Sequence, residues 1–77
     1  MTVYSQAYPF RLMGEPAELR VVRNQGYCWG EVNTSSDAKD LKIKDMQVES
    51  RRDLYGKDDD EAAEVLIQVA RSSFGDH

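Results

Sequence analysis

Five carboxylates crowd one short stretch of this 77-residue chain: Asp58, Asp59, Asp60, Glu61 and, one turn later, Glu64. Oxygen ligands of this kind suit calcium or magnesium. The run lacks the alternating-acid spacing, closed by a glycine, that folds a loop around calcium. Consecutive residues at a helix start also point in different directions. The stretch is therefore read first as a capped, solvated helix start, second as a surface for a basic partner, and not as a metal site.

Other chemistry is hard to assemble. The only histidine, His77, is the last residue, and the only cysteine, Cys28, sits in a strand-like run. A thiol needs a base or cation beside it to become a nucleophile. Cys28 is expected to be a small buried hydrophobe. No Gly-rich phosphate loop is present. The chain is expected not to be an enzyme and to need no cofactor. A lone cysteine fits a reducing, cytoplasmic setting. Met1 to Phe10 show neither a basic start nor a long apolar run, so no signal peptide or membrane span is expected.

Two further sets could bind something. Tyr27 and Trp29 are spaced two apart, which places them on one face of a strand. Core packing under a helix is the first expectation for such a pair. If the other face of the sheet is the covered one, these aromatics become the anchor of an interface. Arg20, Lys42, Lys44, Arg51 and Arg52 are the candidate contacts to a phosphate backbone. Asp40, Asp45, Glu49 and Asp53 interleave with them and dilute any basic patch.

Periodicity gives the secondary structure around these residues. Ala62, Leu66, Val69 and Ser73 fall at helical spacing, as do Ala63, Ile67, Ala70 and Phe74. Asp58 or Asp59 can cap the first turn, Arg71 complements the last, and Gly75 stops the run. The pattern predicts a helix over 59–73. Residues 19–23 and 27–32 flank Asn24-Gln25-Gly26 and predict a β-hairpin. With a three-residue loop, Val21 faces Trp29 and Arg23 faces Tyr27. Leu19, Val21, Tyr27 and Trp29 then share a face, with Arg20, Val22, Cys28 and Gly30 on the other. A slip of one residue swaps these faces.

Residues 8–13 predict a first strand, and Pro9 places it at a sheet edge or starts it at Phe10. Gly14-Glu15-Pro16 is a turn. Residues 41–44 and 46–49 both alternate but out of phase, so Asp45 marks a bulge. A helix from Ser36 is the competing reading, but its apolar residues make a poor stripe. The whole is one small domain: 1–7 a flexible start, 8–49 sheet, 50–58 loop, 59–73 helix and 74–77 tail. The expected fold class is α+β, a small antiparallel sheet of three or four strands with one C-terminal amphipathic helix packed on one face.

Gly56-Lys57-Asp58-Asp59-Asp60-Glu61-Ala62-Ala63-Glu64 resembles the start of the last helix of a double-stranded-RNA-binding domain. That family carries lysines where this chain has aspartates, and its first helix has no counterpart here. The departure falls on the phosphate-contacting positions, so the resemblance brings no function with it and assigns the chain to no family.

Charge completes the expectation. Residues 1–57 hold nine Lys/Arg against eight Asp/Glu, a balance of +1, and residues 58–77 hold Arg71 against six acids, −5, which together give the net −4. The acidity is that of the last segment. A small acidic protein-binding protein is expected, an inhibitor or adaptor for a basic, nucleic-acid-handling protein. Size and charge alone suggest a phage or mobile-element source. A nucleic-acid-binding module is the alternative, and the structural subunit of an oligomer is a third. One helix cannot cover both faces of a sheet that is apolar on both, so a homodimer is also expected.

Overall fold

The computed structural model describes residues 1–75. His77, expected at the end of a tail, lies outside the described residues. Four strands form a meander, β1 (Val3–Leu12), β2 (Glu15–Asn24), β3 (Tyr27–Thr34) and β4 (Met46–Arg51), in the order β1-β2-β3-β4 with every pair antiparallel. One helix, α1 (Asp59–Ser73), lies on one face and touches all four strands. This is the α+β sheet-and-helix fold that the alternation and the helical stripe predict.

The two tight hairpins set the register. Met13-Gly14 joins β1 to β2 with φ of 55° and 78°, and Gln25-Gly26 joins β2 to β3 with φ of 51° and 83°. Two successive left-handed residues make the two-residue turn whose twist matches that of the flanking strands. The β2–β3 loop is therefore Gln25-Gly26, not the three-residue Asn24-Gln25-Gly26. Asn24 pairs with Tyr27, Arg23 with Cys28, Val22 with Trp29 and Val21 with Gly30. The pairing is one residue away from the one expected, and the faces swap. Gln25 is the cause, because a side chain with a Cβ accepts the left-handed conformation that sequence rules reserve for Gly, Asn and Asp.

Leu19 and Val21 thus share the helix face with Cys28, Gly30 and Val32. This face, with Leu12, Ala17 and Val48, meets Ala62, Ala63, Leu66 and Ala70 of α1 to form the core. Leu54, also buried, plugs it from the connection between β4 and α1. Cys28 is fully buried there, and loss of water around the thiol pushes its pKa up, the inert condition expected for it. Three of the four buried helix residues are alanines, and Gly30 leaves bare backbone beneath Leu66, which lets helix and sheet approach closely.

Two other boundaries differ from the periodicity. β1 begins at Val3, so residues 3–7 belong to the sheet and are not a flexible start. They are held because β2 runs ten residues and its outer edge needs partners along its whole length. The pairing is irregular between Tyr4 and Ala7. There the Ser5 hydroxyl accepts from the Val21 N–H at 2.8 Å, replacing a ladder bond. Pro9 lies in this edge strand, where a missing donor is tolerated.

Residues 41–44, expected as a strand, are irregular. Side chains have taken the donors that a ladder would use. Thr34 Oγ1 accepts from the Ile43 N–H at 3.0 Å, and Asn33 Oδ1 accepts from the Asp45 N–H at 2.8 Å. The Glu15 carboxylate accepts from the N–H groups of Asp40 and Lys39 at 2.7 and 3.2 Å, bonds that hold its pKa below the ordinary value. Asp45 turns left-handed at φ 53° just before β4, but with no strand at 41–44 it is not the bulge expected there; the β3–β4 ladder is irregular between Cys28 and Gly30 instead. The competing helix from Ser36 does not form.

The helix matches its predicted bounds. Asp58 Oδ1 accepts from the Glu61 N–H at 2.9 Å as the N-cap. At the other end the Phe74 N–H reaches the Arg71 carbonyl, and Gly75 follows at φ 71°.

Candidate functional site

Among the described residues, no helix or strand covers the sheet face away from α1. Rows of side chains cross it in register. Tyr4, Val22 and Trp29 make one row, and Asn24 and Tyr27 make the next. Val22 is fully buried between its aromatic neighbours, although no helix covers this side. Tyr4 stays 55% exposed and Tyr27 41%, with Trp29 half-buried. The Arg52 guanidinium stands 5.0 Å from the centre of the Tyr27 ring, a cation–π distance. A shallow cavity of about 240 Å³ opens beside them, lined by Asn24, Gln25, Tyr27, Trp29 and Ser50. Asn24 Nδ2 donates to Thr2 Oγ1 at 3.0 Å, while Asn24 Oδ1 is buried and has no hydrogen-bond partner among the described residues.

Tyr27 and Trp29 are therefore not core under the helix. The one-residue shift in register moves them to the open face and puts Cys28 and Gly30 beneath α1. Tyr4 joins them unforeseen. Tyr4 and Tyr8 are four apart and would share a face of a regular strand. The irregularity between them sends Tyr4 to the open face and Tyr8 to the helix side, where it pairs with Leu19. Only the recurrence of aromatics in 4–10 hinted at a role for this segment.

The acidic helix start is largely engaged within the molecule. Asp58 is the cap. Asp59 is ion-paired with Arg23, and Asp60 accepts from the Tyr8 hydroxyl at 2.8 Å. That bond, to a carboxylate, raises the Tyr8 pKa. Glu61 meets Lys57 at 3.4 Å. Among the described residues no three His, Cys, Asp or Glu side chains converge as metal ligands.

Arg23 is the residue that sequence reasoning passed over. Its side chain is only 16% exposed. It binds Asp59, donates through Nη2 to the Lys57 carbonyl at 2.7 Å, and through Nε to the Tyr55 carbonyl at 3.3 Å. One guanidinium thus ties β2 to both the connecting loop and the helix start. Arg23→Met is expected to cost about 2 kcal/mol, since bonds to charged groups are worth more than neutral ones. Chemical denaturation measures the loss. Hydrogen exchange should quicken first at residues 55–59, and an unchanged exchange pattern there would refute the tie.

The basic set is not brought together. Lys42 donates to the Ala38 carbonyl and Lys44 lies exposed, both in the irregular segment after β3. Arg51 forms a two-bond pair with Asp53 at 2.6 and 2.9 Å, which lowers the pKa of the acid and raises that of the base. Arg20 is on the open face with Glu31 directly opposite. No helix among the described residues is long and apolar enough to cross a membrane. No family model, no curated protein and no solved structure matches this chain.

Proposed function

We propose that the protein works by binding another protein through the open sheet face, as an inhibitor or adaptor without chemistry of its own. The observation that carries this reading is the grouping of Tyr4, Trp29 and Tyr27, with Arg52 against Tyr27, on the face the helix leaves bare. Tyrosine, tryptophan and arginine are the residues that most often anchor protein interfaces, because they offer large rigid contact areas with a polar edge. The charges around them support a protein partner over a nucleic acid. Arg20 faces Glu31, and Glu18 shares the same side of β2, so a phosphate backbone would meet opposed charges. The −5 balance of residues 58–77 sits with the helix on the other side of the sheet and acts on a basic partner only as a long-range field that speeds encounter.

The test is affinity capture with mass spectrometry, wild type beside the Tyr4→Glu/Tyr27→Glu variant. Recovery of the partner is expected to fall by at least about tenfold, the scale of losing interface anchors, while the variant stays folded with a melting temperature lowered by only about 5 °C from the exposure of Val22. Sedimentation equilibrium then shows whether the partner is a second copy, since the monomer is 8.8 kDa. Equal recovery by the variant, or wild-type binding to random DNA or RNA at physiological salt, would overturn the reading.

A further inference from the structure

A second concavity lies on the other side of the molecule, between β1 and α1. It has a volume of about 360 Å³ and is lined by Tyr8, Asp60, Ala63, Glu64, Ile67 and Gln68. Its wall is apolar: a phenol ring, the buried Ala63 and the half-buried Ile67. Its rim carries two carboxylates, Asp60 and Glu64, both exposed.

The partners of the neighbouring acids make this rim distinctive. Asp58 caps the helix, Asp59 holds Arg23, and Glu61 meets Lys57. Asp60 touches only the neutral Tyr8 hydroxyl, and Glu64 has no bond or ion pair among the described residues. Of the five acids in the run, Asp58, Asp60 and Glu64 have no cation among the described residues; Asp58 is occupied by the helix cap, and the other two line the groove. They stand four apart on one helix face, where like charges repel and slightly destabilise the helix. An arriving cation removes that repulsion.

We infer that this groove receives an arginine side chain of a partner protein. Its methylene stem would lie along Tyr8, Ala63 and Ile67, and its guanidinium would bridge Asp60 and Glu64. A planar fork matches carboxylates in two-bond geometry and can stack on a tyrosine ring. Apolar wall and acidic rim together fit a side chain that is apolar along its length and charged at its tip. The groove is separate from the open sheet face, so either surface can fail without the other.

The probe is the acetylated, amidated tripeptide leucine-arginine-leucine, titrated into the labelled protein and followed by amide and side-chain shifts. Saturable binding is expected with a dissociation constant of about 1 mM or tighter, with shifts concentrated at Tyr8, Asp60, Ala63, Glu64 and Ile67. The same peptide with citrulline for arginine keeps the shape and loses the charge. It should bind at least about fivefold more weakly, as should the arginine peptide to Glu64→Gln. Glu61→Gln, next to Asp60 in the run but already paired with Lys57, should change binding by less than about twofold. The inference is overturned by equal binding of the citrulline peptide, by equal losses in Glu61→Gln and Glu64→Gln, by shifts centred on Trp29 and Tyr27, or by no saturation.

Discussion

Leu66→Ala is expected to destabilise the protein by about 3–4 kcal/mol, the range of leucine truncations in close-packed cores. Leu66 is fully buried and sits in the middle of the helix stripe, over the bare backbone of Gly30. Its neighbours on the stripe are Ala62, Ala63 and Ala70, which have no length to spare for filling the void. A domain of this size has only about 4–12 kcal/mol of stability in total, so the variant should be largely unfolded on modest heating. Urea denaturation measures the loss, with the slope unchanged if both states keep their compactness. Ile67→Ala, on the half-buried flank, should cost less than half as much. A loss at Leu66 below about 1 kcal/mol would mean that the helix does not rest on the sheet as described.

Gly30→Val is expected to cost about 3 kcal/mol or more through overpacking. A Cβ on Gly30 would stand 2.9 Å from Leu19 Cδ1 and 3.3 Å from Leu66 Cβ. The first is the tip of a side chain that can turn. The second is fixed to the helix backbone, so two further methyl groups force helix and sheet apart. The expected result in a thermal scan is a strongly lowered melting temperature. Gly30→Val in the Leu66→Ala background should cost clearly less than in the wild type, because the truncation opens the space the valine needs. Such coupling is the mark of residues in contact. Strict additivity would place Gly30 away from Leu66, and with it would remove the argument that Tyr27 and Trp29 lie on the open face.

The choice of covered face decides the candidate site. Read alone, the hairpin pattern divides its residues into two sets and cannot tell which lies under the helix. Both sets are apolar enough to be core: Leu19 and Val21 in one strand, and either Trp29 or Val32 in the other. The loop chemistry that would settle it is ambiguous, because Gln25 is not a residue that announces a left-handed turn. A hint was present in residue size. Cys28 and Gly30 are small, and small residues suit the face against a helix rich in alanine, while Trp29 and Tyr27 would hold such a helix away.

Local chemistry alone determined the helix and its cap at Asp58, because periodicity and capping act within a few residues of the chain. It likewise determined the edge placement of Pro9. The tertiary structure decided the matters that depend on distant groups. It chose the covered face, since strand periodicity is two and one residue of register inverts it. It turned Tyr4 and Tyr8 to opposite sides through the irregularity between them, which answers to β2 and not to β1. It joined Arg23 to Asp59 across the fold, leaving Asp60 and Glu64, which neither cap the helix nor pair with a cation among the described residues, on the rim of the groove. Pairing of charges far apart in sequence is set by where the chain brings them, and no local pattern records it.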